Sequence, residues 1–358
     1  MDFLVNRADL HDTKVVDPEP LPLAPGQARL RVERFALSAN NITYAALGDV
    51  MQYWNFFPAE QGWGRVPVWG FAEVVESLDE RLAVGRRVYG YLPMSEELVV
   101  EVGAVDDGGF SDVAGHRAPM PGVYSRYVDA ASPEDRDPDA EDQRMLLFPL
   151  FFTSFLVDDF LADNGDFGAS VVVISSASSK TALGIAHRIR ARGGVTLVGL
   201  TSPANVALTG DLGLYDLVVP YGAEHDLPDG AAVYIDVSGS PGVRAAVHGR
   251  YGEELVHDMI LGATHWNQLG GDPGALEGAP PTFFFAPDRI ALRQQQWGRS
   301  TLEAKLDAAW DDFAPWAATW IDFRHDAGVE ALRDTYLALL DNRADPKVGH
   351  ILTLQPEP

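Results

Sequence analysis

Residues 171–189 read VVVISSASSKTALGIAHRI. The first four, Val171 to Ile174, are all β-branched and aliphatic, the pattern of a strand buried on both faces. From Ala182 the apolar residues Leu183, Ile185, Ala186 and Ile189 recur at helical spacing. Between strand and helix lies a turn of small polar residues, Ser175 to Thr181, where many nucleotide enzymes place glycines to cradle phosphate.

The same alternation continues downstream. The pattern predicts strands at 195–200, 217–220, 232–236, 255–262 and 282–285, with helices through 192, over 204–212 and over 243–251. Alternating strands and helices imply a parallel sheet covered on both faces. Upstream, the first 130 or so residues are β-rich: Ala28, Leu30 and Val32 share one face of ARLRVERFALS, and glycine and proline punctuate the runs that follow. The acidic stretch SPEDRDPDAEDQR, 132–144, reads as a solvated connector. Residues 145–164 read as a helix starting near Pro149. Beyond Leu302 the chain is mainly helical and closes on a strand-like HILTL, 350–354. The expected fold class is α/β.

At 358 residues, two domains are the default. The net charge of −25 disfavours nucleic acid and anionic membrane as partners. The chain has no cysteine, which excludes disulfides, thiolate nucleophiles and sulfur-ligated zinc. MDFLVNRADLHD has no apolar signal core, and no run of about 18 apolar residues suggests a membrane span. The expectation is a cytoplasmic protein that binds no metal, since no histidine pair has the H-E-x-x-H spacing either.

The turn offers backbone N–H groups at a helix start, serine hydroxyls and the mobile cation of Lys180, enough to hold a phosphate without glycine. An ordinary serine-capped connection is the other reading. A P-loop is excluded, because no glycine precedes Lys180. The second strand ends in Thr201 and Ser202, with no carboxylate to repel a ribose 2′-phosphate. Either hydroxyl could donate to that phosphate or cap the next helix.

Over most of its length the chain resembles the medium-chain dehydrogenase/reductase superfamily, in its zinc-free quinone oxidoreductase and enoyl reductase branch. The likeness is carried by LRVERFALSANNITYAALGD (30–49), VPVWGFAEVVES (66–77), LAVGRRVYGYLP (82–93), YIDVSGSPGVRAAV (234–247) and PKVGHILTL (346–354). It also resembles an uncharacterised bacterial subfamily with Ser-Ser-Lys-Thr at the nucleotide turn. The resemblance implies a GroES-like β domain over residues 1–150, completed by about 316–358. It implies a Rossmann doubly wound sheet over 151–315, with NADPH and substrate held in a cleft of the family fold. The chain departs from the family pattern where glycines are replaced by Ser175, Ser178 and Thr181, and where Asn41 replaces an aspartate.

On this basis the implied cofactor is NADPH rather than NAD. Its candidate ligands are Ser176, Ser178, Ser179, Lys180, Thr181, Thr201, Ser202, Tyr221 and Ser238. The implied activity is zinc-independent reduction of a small enone, quinone or carbonyl. Tyr44, Tyr53, Asn41 and His265 are the candidate catalytic residues, as proton donors or oxyanion partners. Trp54 and Phe57 are expected to wall the substrate and Trp69 to face the core, with His257 a packed strand residue. The edge 282–285 is the implied dimer contact. The competing reading is a non-redox protein on the same fold, either a nucleotide sensor or a lyase or isomerase.

Overall fold

A computed structural model describes residues 1–19, 22–261 and 276–355. The chain divides into two compact units, Met1–Leu146 with Ile321–Pro358, and Leu147–Trp320.

The first unit is built on a closed antiparallel sheet. The long strand Gln27–Leu37 pairs along one edge with Pro67–Ser77. Arg87–Pro93, Arg126–Asp129, Gly109–Asp112 and Glu97–Asp106 follow in order, and the last returns to residues 27–31. The remaining edge of the long strand, Phe35 to Leu37, is taken by Val348–Thr353, which carries the parallel strand Asp322–Ala327 outside it. Closure leaves no edge on the inner ring. Alternation puts Leu30, Val32, Phe35, Phe71, Val74 and Val88 inside. Gly70 is required at a register shift, since a Cβ there would stand 2.4 Å from the Arg34 carbonyl oxygen.

Two segments differ from the sequence reading. Asp322–Ala327 is a strand, although four of its six residues are polar. The acidic stretch is not a solvated connector throughout: Pro138–Leu146 is a helix that buries Glu141 and Asp142. Glu141 pairs with Arg34 and Arg87, and Asp142 pairs with Arg34 at 3.0 Å and with His325 at 2.6 Å. Buried carboxylates persist where cations satisfy them, and here these come from distant strands.

The second unit is a six-stranded, all-parallel sheet. Its order is Leu217–Pro220, Thr196–Thr201, Val171–Ile174, Ala232–Asp236, Leu255–Ile260, Pro281–Phe283. Counted from Val171–Ile174, the strands lie 3-2-1-4-5-6, the doubly wound order. Val171 to Ile174 are fully or almost fully buried, because helices cover both faces. One face packs Leu183, Ile185, Ala186 and Ile189 of helix Lys180–Arg192 on Val172, Ile174, Val233 and Ile235. The other packs Val247 and Tyr251 of helix Pro241–Tyr251 on Val171, Val173 and Tyr234. The fold is therefore α/β, a closed antiparallel barrel in one unit and a doubly wound parallel sheet in the other. Among the described residues, no single helix is long and apolar enough to cross a membrane.

Candidate functional site

Strand order reverses between Val171–Ile174 and Ala232–Asp236, and doubly wound sheets take ligands beyond the strand ends at that point. Asp236, with no solvent exposure, organises the floor there. Its carboxylate accepts from Ser175 Oγ (2.9 Å), Ser238 Oγ (2.7 Å), the Gly239 N–H (2.9 Å) and the Arg244 guanidinium (2.5 Å). Ser175 Oγ in turn accepts from the N–H groups of Val237 and Ser238, at 3.1 Å each. One hydroxyl thus stitches two strand ends together, which a glycine at position 175 could not do.

The turn above this floor has its own geometry. Ser176 lies in the left-handed region at φ +49°, and its N–H donates to the Tyr221 hydroxyl at 2.8 Å. Burial pushes the Tyr221 phenol up, so the hydroxyl keeps its proton at neutral pH while accepting from Ser176. Ser179 is the N-cap of helix Lys180–Arg192, its Oγ accepting from the Ala182 N–H at 3.3 Å.

Ser178 and Thr201 differ from the expectation that they face a phosphate. Ser178 Oγ accepts from Asn205 Nδ2 at 3.1 Å and lies 3.4 Å from Thr201 Oγ1, and Thr201 is only 1 % exposed. Asn205, in the short turn Pro203–Asn205, reaches back to the Ser178 hydroxyl. Ser238 is likewise buried, committed to Asp236 and to the Ser240 N–H. Ser176, Ser179, Lys180, Thr181, Ser202 and Tyr221 keep partial exposure.

This set fits a phosphorylated ligand in charge and donor type. Ser179 takes two of the first-turn N–H groups of the 13-residue helix, Ala182 at its Oγ and Leu183 at its carbonyl, and the helix dipole favours an anion at this end. Lys180 adds a cation, and no carboxylate ends the strand Thr196–Thr201. Asp236 lies buried beneath, paired with Arg244.

In the first unit the structure brings Tyr44 and Tyr53 together, ring centroids 4.6 Å apart. Three residues that sequence reasoning missed as site candidates join them. Tyr91 meets Tyr44 edge-on at 5.8 Å, Tyr124 lies 4.9 Å from Tyr91, and Trp69 lies 5.0 Å from Tyr91. The available signal was the alternation in VYGYLP, which puts Tyr89 and Tyr91 on one face of a strand. Burial pushes the phenols of Tyr44, Tyr53, Tyr91 and Tyr124 up, so all four are neutral O–H groups.

Asn41 plays a local role. Its Oδ1 accepts from the Ser38 N–H at 2.8 Å and its Nδ2 donates to the Pro67 carbonyl at 2.8 Å, closing a capping box on helix Ala39–Ala46. Both ends of the amide thus carry bonds that hold this turn, one of the two roles open to it.

The aromatic expectation also needs correction. The Trp54 indole is wedged between Gly48 and Gly64, where an added Cβ on either would come within 2.3 Å of it. Phe57 is 1 % exposed, with the Arg117 guanidinium 4.7 Å from its ring centroid. These two are core residues, while the partly exposed Trp69 faces the tyrosines. His257 stacks on Phe167 with centroids 4.1 Å apart, a packing role. His265 lies outside the described residues. Among the described residues, no three His, Asp or Glu side chains converge as metal ligands.

The chain is similar in structure to several solved proteins. CurA from Vibrio vulnificus in complex with NADPH superposes with a TM-score of 0.63 at 11 % identity, covering 99 % of this chain and 97 % of that one. A quinone oxidoreductase from Pseudomonas syringae pv. tomato DC3000 gives 0.60 at 16 %, covering 98 % and 99 %. Escherichia coli K-12 YhdH with bound NADPH gives 0.56 at 16 %, covering 99 % and 100 %. At such identities the likeness carries the fold alone, over nearly the whole chain. No curated protein sequence matches. The profile of the family DUF2855, described as a protein of unknown function, matches residues 35–345, and the chain therefore belongs to that family.

Proposed function

We propose that the protein is an NADPH-dependent oxidoreductase that works without zinc and reduces a small enone, quinone or carbonyl. The observation that carries this reading is the turn 175–181 at the switch point of a 3-2-1-4-5-6 sheet, where a helix start, Lys180 and partly exposed hydroxyls converge with no carboxylate at the end of the strand Thr196–Thr201. NADPH in two of the structural relatives supports the choice of cofactor. When bound, the nicotinamide supplies the hydride.

The chain's own residues bind, orient and protonate. The start of helix Lys180–Arg192 and the Ser176 hydroxyl hold the pyrophosphate. Ser202, Tyr221 and Lys180 line the place of the ribose phosphate. The Asp236 floor holds the turn in one geometry, so little reorganisation accompanies binding. Tyr44 and Tyr53 supply neutral O–H donors to the developing oxyanion. The absence of cysteine removes the sulfur ligands of a catalytic zinc. The edge strand Pro281–Phe283, with Phe283 half exposed, supports a homodimer built across that edge.

A second reading is favoured by one observation: the hydroxyls of Ser175, Ser178 and Ser238 are all committed inside the protein. A turn so engaged suits a nucleotide sensor or a non-redox enzyme on the same fold. Fluorescence titration with NADPH and NADH, followed by a cofactor-oxidation screen over enones and quinones, separates the two. The reductase reading expects NADPH to bind more tightly than NADH and to be consumed. Binding without oxidation across the panel favours the second reading. Lys180→Ala should weaken NADPH about tenfold more than NADH, the effect of one charge-assisted contact to the extra phosphate. Equal weakening would place Lys180 on the pyrophosphate.

A further inference from the structure

We propose that the tyrosine cluster of the first unit is a binding site for a carbonyl oxygen, with Tyr91 and Trp69 as hydrogen-bond donors beside Tyr44. Tyr91 is fully buried, yet its hydroxyl completes no hydrogen bond, and neither does the buried Nε1 of Trp69. Buried polar atoms are almost always paired, so two unpaired ones in adjacent side chains need an account. Their rings are 5.0 Å apart, and both polar groups approach the Tyr44 hydroxyl without closing on it. Tyr53 and Tyr124 bring their hydroxyls together alongside, with ring centroids 6.5 Å apart.

The chemistry of the set selects the ligand. An indole N–H donates and cannot accept. Burial keeps the four phenols protonated. Trp69 Nε1 needs an acceptor and the neutral phenols can donate to the same atom, and a ketone, enone or quinone oxygen offers the lone pairs for both. The flat faces of Trp69, Tyr53 and Tyr124, all partly exposed, suit a conjugated ring behind that oxygen. The inference rests on the reductase reading for its substrate class and adds Tyr91, Trp69 and Tyr124 to it.

The test uses the full chain with no nucleotide present and calorimetric titration with duroquinone, against durene, the same ring without oxygens. Duroquinone should bind at least tenfold more tightly than durene. Tyr91→Phe and Trp69→Phe should each weaken duroquinone about tenfold, the worth of one donor. Tyr91→Phe should leave the thermal midpoint unchanged or raise it, because it deletes an unsatisfied buried hydroxyl. A merely structural hydroxyl predicts the reverse, a lower midpoint with unchanged duroquinone affinity, and that result overturns the proposal. Equal binding of duroquinone and durene, or binding of neither, also overturns it. NADPH titration is read separately: quinone binding with no NADPH binding sinks the reductase reading alone, and NADPH binding with no quinone preference sinks this inference alone.

Discussion

The serine and aspartate side chains at the turn of the parallel unit and the Tyr91–Trp69 pair of the barrel unit treat their buried polar atoms in opposite ways. At the turn, Ser175, Ser178, Ser238 and Asp236 are satisfied from within the protein. In the cluster, Tyr91 Oη and Trp69 Nε1 are left without partners. Satisfied groups build a frame that holds its shape without ligand, while the unsatisfied pair is where the proposal above puts a ligand oxygen. The difference assigns a supporting part to Asp236 and Ser175 and a receiving part to the tyrosines. The charge network of the barrel unit is the control. Glu141 and Asp142 are as buried as the tyrosines, yet each meets arginine.

The comparison can be broken first at Asp236. Asp236→Ala removes the acceptor for two hydroxyls, one backbone N–H and Arg244, and leaves that cation half-stranded in a buried site. The loss should be about 3–5 kcal/mol by denaturant unfolding, with Asp236→Asn recovering part of it. Wild-type stability in Asp236→Ala would mean that the floor is not a frame.

Glu141→Gln comes next, at about 1.5–3 kcal/mol. Burial alone would raise this carboxyl, but hydrogen bonds from Arg87 and Arg34 outweigh burial and hold it below its usual value. A depressed carboxylate stabilises above its unfolded pKa, and the contribution is lost as pH falls through the folded one. Wild type should therefore lose more stability than Glu141→Gln between neutral and acid pH. Parallel stability curves for the two would sink this account.

The smallest effect sharpens the comparison at the turn. Tyr221→Phe removes the acceptor of the Ser176 N–H, and the loss should be about 0.5–1.5 kcal/mol, the net worth of one neutral hydrogen bond. If that N–H is also a phosphate donor, the variant should bind NADPH at least as well as wild type. Weaker binding would instead place the Tyr221 hydroxyl on the phosphate itself.

How much was legible in the chain follows from the range of the interactions involved. The parallel sheet was readable because Val171 to Ile174 is a continuous apolar run and the next helix repeats its apolar face every three to four residues. The strand Asp322–Ala327 was not, because it lies outside Val348–Thr353 at the margin of the barrel sheet, where residues need not alternate. The helix Pro138–Leu146 was misread because its acids look solvated until Arg34 and Arg87, more than fifty positions away, are brought against them. Trp54, Phe57 and Trp69 could be recognised as an aromatic cluster but not oriented. Which ring turns inward depends on the glycines at 48 and 64, which leave room for one indole.

The sequence by itself determined the parallel βα architecture of one unit, the polar turn at its switch point, and the exclusion of thiol and sulfur-ligated metal chemistry. Each of these rests on residue types or on spacings shorter than one element, which local sterics and apolar periodicity translate directly. Only the tertiary structure decided which hydroxyls at the turn are spent inward, which carboxylates are buried, and that Tyr44, Tyr53, Tyr91, Tyr124 and Trp69 share one neighbourhood. Those facts depend on contacts between strands and loops far apart in the chain, and no local preference encodes which distant group will arrive to pair a buried polar atom.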